Sequence, residues 1–144
     1  MTISDVITAI ATKNQKEGFT LNPSASTIEI IKFETKIGFL LPPEFKALYS
    51  VCNGFECEED MFRFIPLDDI IERGDHGENW FHFAEYMIFC DIWTLRKNND
   101  RYEIVNLGNT EFILCTSLTE FLEHFLAGNV FEDGGLYHWR ETLH

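Results

Sequence analysis

The chain has 144 residues, of which 45% are hydrophobic and 15% are aromatic. A chain of this length buries about 70% of its unfolded surface as one domain, so its core needs neither metal ions nor disulfides, and long disordered regions are excluded. The 24 acidic and 11 basic residues give a net charge of −13. That charge favours solubility, repels nucleic acids and anionic membranes, and speeds encounter with a basic partner.

The sequence has the features of a cytoplasmic protein. Its first ten residues, MTISDVITAI, lack the basic region and long apolar core of a signal peptide. No apolar run approaches the roughly 18 residues that a membrane-spanning helix needs. The four cysteines fall in or beside apolar runs without the spacing of a disulfide framework, so we expect reduced thiols that lie mostly in the core. They are Cys52, Cys57, Cys90 and Cys115.

Capping residues predict a helix at the amino terminus. Thr2 with Asp5 forms its cap, and the helix is expected to fade near Lys16 because Gly18 is a natural stop. Its apolar face is predicted from helical spacing to contain Ile3, Val6, Ile7 and Ile10. We interpret residues 19–23 as a connector.

Two further helices are predicted between residues 26 and 54. Ser26 and Glu29 form a capping box, and the helix that they open is expected to end at Gly38. Its buried stripe is predicted to run through Ile28, Ile31 and Thr35. Pro42 or Pro43 suits the first turn of the next helix, whose apolar face is Phe45, Leu48 and Tyr49. Gly54 is predicted to be its left-handed carboxyl-terminal cap.

The pattern changes to short strands after residue 54. Residues 61–65 alternate as a strand, residues 67–72 suit a short helical turn, and residues 73–79 have turn composition. Three aromatic and β-branched runs then predict strands at 84–91, with Trp93 beyond it, at 102–107 and at 111–116. Residues 97–100 and 108–109 are the expected hairpin connections.

A last helix is predicted from a second capping box, Ser117 with Glu120, to Gly128. The aromatic tail at 129–144 is expected to pack against the domain. The order of elements predicts a single α+β domain over residues 1–144. It has amino-terminal helices, a central, largely antiparallel sheet and a carboxyl-terminal helix packed on that sheet.

One stretch resembles a known family. The residues that carry the resemblance are Ile31, Phe33, Glu34, Ile37-Gly38, Leu41-Pro42, Phe45, Leu48-Tyr49 and Asn53-Gly54. Weaker later matches are Ile65-Pro66-Leu67 with Ile70, Phe83-Ala84, and Ser117 with Glu120-Phe121-Leu122. In this order they resemble the SUKH superfamily over about residues 24–127. Family members often carry a glycine shortly after the Phe-Ala pair, whereas this chain continues with Glu85-Tyr86-Met87.

The resemblance implies an α+β fold with a mixed or antiparallel sheet, and a role in binding proteins rather than in catalysis. Bacterial members resemble immunity proteins that neutralise polymorphic toxins, often nucleases. Fungal members of the Smi/Knr type are similar to regulatory scaffolds of cell-wall glucan synthesis. The charge of −13 agrees with an inhibitor of a basic toxin, because an acidic surface both attracts and blocks such an enzyme.

The acidic residues after Gly54 are the first candidates for a partner-binding surface. The cluster consists of Glu56, Glu58, Glu59 and Asp60, with Asp68 and Asp69 close in sequence. It lacks the alternating ligands and central glycine of a calcium loop, so it is either a solvated loop or a partner-binding patch. Trp80, Trp93 and Trp139 are candidate contact anchors, and Trp139 is expected to be the most exposed of them.

The sequence carries no recognisable catalytic or metal-binding motif. Asp75, His76, Glu78 and His82 are close together but match no standard zinc spacing, and a turn with polar residues explains them better. Cys115 and His124 do not suggest a nucleophile, because Cys115 ends an apolar strand. No nucleophile elbow, phosphate loop or dinucleotide fingerprint is present. We therefore predict a protein without catalytic residues, metal or cofactor, whose partner is a protein and not nucleic acid or a membrane.

Overall fold

A computed structural model describes residues 1–13, 15–88, 90–108 and 110–143, except for the side chain of Gln15. Within these ranges the helices are α1 (Ile3–Ala11), α2 (Thr27–Ile37), α3 (Pro43–Tyr49), α4 (Leu67–Arg73), α5 (Leu118–Gly128) and α6 (Leu136–Thr142). The strands are β1 (Phe19–Leu21), β2 (Phe55–Cys57), β3 (Phe62–Phe64), β4 (His76–Gly77), β5 (Trp80–Tyr86), β6 (Asp91–Asn98), β7 (Arg101–Asn106) and β8 (Phe112–Cys115). The predicted α+β class is confirmed.

The strands form one sheet in the order β1-β2-β3-β5-β6-β7-β8, with β4 paired to β5. All of these pairings are antiparallel. The connector predicted at residues 19–23 is wrong, because Phe19–Leu21 is the edge strand β1 and Phe19 pairs with Cys57. A strand of three residues is too short to show the alternation that reveals strands in a sequence.

Phenylalanine side chains join the helices to one face of the sheet. Phe62 of β3 stacks on Phe125 of α5 with ring centroids 4.4 Å apart. Phe45 of α3 meets Phe83 of β5 edge to face at 5.1 Å, and Phe33 of α2 lies against the same strand. The helices therefore cover one face of the sheet, and side-chain alternation directs every second strand residue to the opposite face. We call this opposite side the outer face.

The capping predictions for α1 and α2 are confirmed, because both helices begin at complete capping boxes. The end predicted for the first helix near Lys16 is wrong: α1 ends at Ala11, and a separate 3₁₀ turn follows at Gln15–Glu17. The end predicted at Gly38 is confirmed by its left-handed backbone. At α5 only half of the predicted capping box forms: Ser117 accepts a hydrogen bond from the backbone of Glu120, and the reciprocal bond to the Glu120 side chain is absent from the described contacts.

The buried stripe predicted for the second helix is wrong in phase. Ile28 and Ile31 are 66% and 55% exposed, and Thr35 is also exposed. The face that packs on the sheet contains Ile30, Phe33, Glu34 and Ile37. Helix α2 therefore has apolar residues on two sides, and one of these sides faces solvent.

Two other local predictions are corrected. The strand predicted at 84–91 does not exist as one element, because β5 ends at Tyr86 and β6 begins at Asp91. Gly54 is left-handed, but α3 has already ended at Tyr49 with Ser50 as its cap. Glycine is needed at position 54 instead because the backbone there passes close to β3: a Cβ would lie 2.4 Å from the carbonyl oxygen of Phe64.

The tail predicted to pack against the domain does so, because α6 buries Leu136 and Trp139. In the part of the chain that the structure describes, no helix combines the length and apolar character needed to cross a membrane.

Candidate functional site

The residues that carry the family resemblance have structural roles. The buried Glu34 carboxylate accepts a hydrogen bond from the Leu41 backbone at 2.8 Å and so fixes the turn between α2 and α3. The Tyr49 hydroxyl donates to the Ile65 carbonyl at 2.7 Å. The side-chain oxygen of Asn53 accepts from the Leu67 backbone at 2.9 Å and caps the start of α4. These contacts commit the polar groups of Glu34, Tyr49 and Asn53 to the fold.

Glu44 is a structural residue that sequence reasoning missed. It extends from α3 to the first turn of α5, where its carboxylate accepts hydrogen bonds from the Leu118 backbone at 3.0 Å and from the hydroxyls of Ser117 and Thr119. An anion is favourable at a helix amino terminus, where the backbone N–H groups lack partners. The contact spans more than 70 residues, so no local pattern reveals it.

The predicted acidic cluster is divided between structural and exposed positions. Asp60 accepts a hydrogen bond from the Val130 backbone at 2.8 Å and anchors the segment before α6. Asp69 pairs with Arg63, and Asp68 accepts from Asn53 at 3.1 Å. Glu56, Glu58 and Glu59 are exposed beside the β2–β3 hairpin. The cluster is therefore not a single patch: Asp68 is exposed on α4, and the exposed part beside the hairpin is formed by these three glutamates.

The expected exposure of Trp139 is wrong. Its side chain is 5% exposed and stacks in parallel on the His124 ring of α5, with centroids 4.2 Å apart. Trp139 lies on the side of α6 that is buried, together with Leu136. Trp93 is also buried, whereas Trp80 is half-buried on the outer face beside His82.

The outer face has a depression of about 570 Å³ at the end formed by β2, β3 and β5. We call it the β3–β5 depression. Its floor contains Arg63, Arg73 and Glu85, and Glu56 and Glu58 lie along one side. Arg63 pairs across the strands with Glu56 and Glu85, which places all three side chains on the outer face.

The floor of the depression is a network of ion pairs. Glu85, only 2% exposed, lies 2.7 Å from the Arg73 guanidinium and 3.5 Å from that of Arg63. The hydrogen bond to Glu85 raises the pKa of Arg73. Arg73 also pairs with Asp75 at 3.0 Å. A buried carboxylate held by two guanidiniums is costly to disturb, so this floor is a rigid base for the surface above it.

The rim of the depression is apolar and exposed. Met61, Met87 and Ile88 are 57%, 41% and 77% exposed. All three have positive φ angles, of 54°, 48° and 44°, in a region that bulky and β-branched residues rarely occupy. A hydrogen bond of 3.1 Å from the Met87 backbone to the Met61 carbonyl joins the two turns. Backbone strain of about 1–3 kcal/mol per residue persists where the surrounding structure enforces it, often at functional sites.

Sequence reasoning missed the rim because its residues come from two turns separated by 26 positions. One sequence feature did point to this region: Glu85-Tyr86-Met87 follows the Phe-Ala pair, where family members often carry a glycine. The structure shows that this segment ends β5 and enters the strained turn.

Two of the residues considered as metal ligands, His82 and Asp75, have other contacts. His82 Nδ1 lies 2.7 Å from the Thr94 hydroxyl, and burial lowers the pKa of His82. Asp75 pairs with Arg73. Within the described ranges, no three His, Cys, Asp or Glu side chains are grouped as a metal site would need.

The four cysteines are free. The expected burial is confirmed for three of them, while Cys90 is exposed. Burial raises the pKa of Cys52 to about 11 and that of Cys115 to about 12. A thiol with so high a pKa is almost entirely protonated at neutral pH and is a poor nucleophile. Cys115 donates instead to the Ser117 carbonyl, and His124 is stacked on Trp139.

A second polar network that sequence reasoning missed lies on the neighbouring strands β6 and β7. The buried Asp91 carboxylate accepts hydrogen bonds from Asn106 at 2.8 Å, from the Gly108 backbone at 3.1 Å and from the Tyr137 hydroxyl. Burial and the bond to Asp91 raise the pKa of Tyr137. Arg140 lies over the Tyr137 ring and donates to Asn106. Because these groups satisfy one another, the network explains how α6 is attached to the sheet.

Comparison with known families agrees with the fold and with the motif residues. The sequence model of the SMI1 / KNR4 family (SUKH-1) matches residues 24–124, which begin just before α2 and end within α5. A comparison with curated proteins finds no match. Because the match covers more than half of the chain, the protein belongs to the SMI1 / KNR4 family (SUKH-1).

Proposed function

We propose that this protein is a non-enzymatic binding protein that neutralises a cognate toxin, in the manner of a bacterial immunity protein. The observation that carries the proposal is the β3–β5 depression, where three apolar side chains are held exposed on strained turns above a rigid floor. Exposed apolar groups surrounded by polar residues are typical of protein interaction sites.

The charge of the molecule supports a basic partner. With a net charge of −13, the protein attracts a positively charged protein over a distance of about 8–10 Å, the Debye length at physiological salt. Such attraction raises the association rate more than it raises the affinity. A toxin that acts on nucleic acid carries a basic surface, and an acidic inhibitor bound there would block it. The partner that we propose is therefore a basic toxin, such as a nuclease.

The first experiment uses the protein encoded directly upstream of this gene, which we expect to be a polymorphic toxin. We expect a complex with nanomolar affinity, an association rate that falls as salt rises, and loss of toxin activity in the complex. If the neighbouring protein neither binds nor is neutralised, the proposal is refuted.

The variant Ile88→Asn tests the surface. Asparagine tolerates the left-handed backbone, so the substitution removes an exposed apolar side chain without adding strain. We expect affinity for the toxin to fall at least tenfold while the melting temperature stays the same or rises. Leu40→Asn is the matched control, because Leu40 is also strongly exposed, at 67% against 77% for Ile88, and lies outside the depression. It should bind like the wild type.

A second candidate function is a regulatory scaffold of the cell-wall glucan-synthesis type. It is favoured by the exposed apolar side of α2, where Ile28 and Ile31 are available for contact away from the depression. Two apolar surfaces permit two partners. A pulldown from cell extract distinguishes the candidates, because a scaffold should retain several weak partners, whereas an immunity protein should retain one tight partner.

A further inference from the structure

The partner of the β3–β5 depression can be specified more closely from its charges. Its two arginines already contact four carboxylates, those of Glu56, Asp69, Asp75 and Glu85. The arginine charges are thereby neutralised, and the group as a whole is negative. Glu58, which also lines the depression, adds a further carboxylate. An acidic group entering here would be repelled, and a cation would be attracted.

The acidic side of the depression is available to a ligand. The Glu56 side chain is 58% exposed and lies 3.5 Å from Arg63, at the long end of ion-pair distances. Glu58 is exposed at the end of β2. Among the described contacts, neither carboxylate accepts a hydrogen bond from a distant backbone segment, unlike that of Asp60, which accepts from Val130. Both can turn toward an incoming positive charge without breaking the buried Arg73–Glu85 pair.

The apolar rim requires more than a charge from the ligand. Met61, Met87 and Ile88 present a surface that a bare cation would leave exposed to water. A purely apolar ligand would cover the rim but would take the neighbouring carboxylates out of water without a partner, which is costly. Lysine and arginine side chains have both parts, because three or four methylene groups separate the backbone from a charged head.

We propose that the β3–β5 depression binds a lysine or arginine side chain that protrudes from a loop of the partner protein. Its methylene groups pack against Met87 and Ile88, and its charged head lies on Glu56 and Glu58. Apolar neighbours in the partner loop cover Met61. This inference specifies the contact made by the toxin-binding surface proposed above, and therefore rests on that proposed function.

The probe for the test is a library of random peptides displayed on phage and selected on the full-length protein. We expect the enriched peptides to share a lysine or arginine next to an apolar residue. A synthetic copy of the best peptide should bind the double variant Glu56→Gln/Glu58→Gln at least tenfold more weakly than the wild type. Replacing its basic residue with glutamine should cause a similar loss on the wild type and little further loss on the double variant.

The matched control is the double variant Asp100→Asn/Glu141→Gln. It also removes two negative charges, but from exposed positions outside the depression, and it should change peptide affinity less than twofold. The inference is overturned if no peptide is enriched, if the enriched peptides lack a basic residue, or if both double variants bind equally well.

The two proposals fail in different ways. If the upstream toxin is bound and neutralised equally well by wild type and Glu56→Gln/Glu58→Gln, the lysine or arginine contact is refuted and the immunity function remains. If the toxin is not bound but the selected peptides are, the immunity function is refuted. The depression then remains a site for basic peptides.

Discussion

The neighbouring residues Ile30 and Ile31 provide a direct test of how α2 is oriented. Ile30 is 5% exposed in the core, and Ile31 is 55% exposed. Ile30→Ala removes buried carbons and leaves a cavity, which should lower the free energy of unfolding by about 2–5 kcal/mol. Ile31→Ala removes little buried area and raises helix propensity, so the change should stay within about 0.5 kcal/mol. Both variants replace an isoleucine of α2 with alanine, and they differ only in which of two adjacent positions is changed.

The measurement is urea unfolding followed by circular dichroism, with the slope of the free energy against denaturant fitted for each variant. An unchanged slope shows that the loss comes from native packing rather than from a different unfolded state. A domain of this size has a total stability of about 5–15 kcal/mol, so the loss expected for Ile30→Ala is a large and readily measured part of it. Equal losses at both positions, or a larger loss at Ile31, would refute the orientation of α2 and restore the stripe of Ile28, Ile31 and Thr35.

Three further predictions concern stability and reactivity. Burial lowers the pKa of His82 below its ordinary value of 6.5. Its contribution to stability is therefore complete above about pH 6.5 and is lost as pH falls through the lowered pKa. The variant His82→Asn should remove this pH-dependent loss of stability from unfolding curves measured between pH 5 and 8. In the native protein, one thiol should react rapidly with Ellman's reagent, and Cys90→Ser should abolish that phase, since the other three cysteines are buried; rapid reaction of a second thiol would contradict this. Gly54→Ala should lower the free energy of unfolding by at least about 2 kcal/mol, because its Cβ would meet the β3 backbone. Gly38→Ala, at a residue with a similar φ but open space around it, should cost about 1 kcal/mol. Equal costs in thermal unfolding would refute the idea that Gly54 is needed for its closeness to β3.

Local signals predicted much of the fold. The capping boxes at Thr2–Asp5 and Ser26–Glu29 are confirmed because each needs only residues within one helical turn. The start of α3 at Pro43 is also set locally, by proline geometry. Hairpin composition located the β6–β7 connection within residues 97–100, although Lys97 and Asn98 are paired in β6 and the turn itself is residues 99–100. In all these cases, the interaction that determines the structure lies within a few residues.

The errors arise where contacts between residues far apart in sequence determine the structure. Periodicity identified α2 as amphipathic but could not choose between its two apolar sides, because the choice depends on packing Phe33 against β5. Trp139 is predicted to be the most exposed tryptophan, yet α6 turns it toward His124. The turn at Met87 was hidden within an apolar run, since nothing local predicts a left-handed methionine.

The candidate site could not be predicted as a whole for the same reason. Glu56 and Glu58 were identified as candidates from charge alone, but the β2–β3–β5 register brings Glu56 beside Arg63 and Glu85. Apart from the departure from the family pattern at Glu85-Tyr86-Met87, the rim residues carry no sequence signal of exposure, because apolar side chains in a run of strands usually indicate core. The acidic half of the site was therefore visible in the sequence, and the apolar half was not.

The family motif and the proposed binding surface occupy different parts of the chain, and this separation has a physical consequence. Motif residues such as Glu34, Tyr49 and Asn53 use their polar groups inside the fold. The depression begins at Glu56 and is completed by the turn at Met87 and Ile88. Substitutions in that turn can change what the surface binds without disturbing the contacts that hold the helices together. A fold does not fix its function, which belongs to sites carried on it, so under the proposed function we expect partner specificity to follow the residues of the depression.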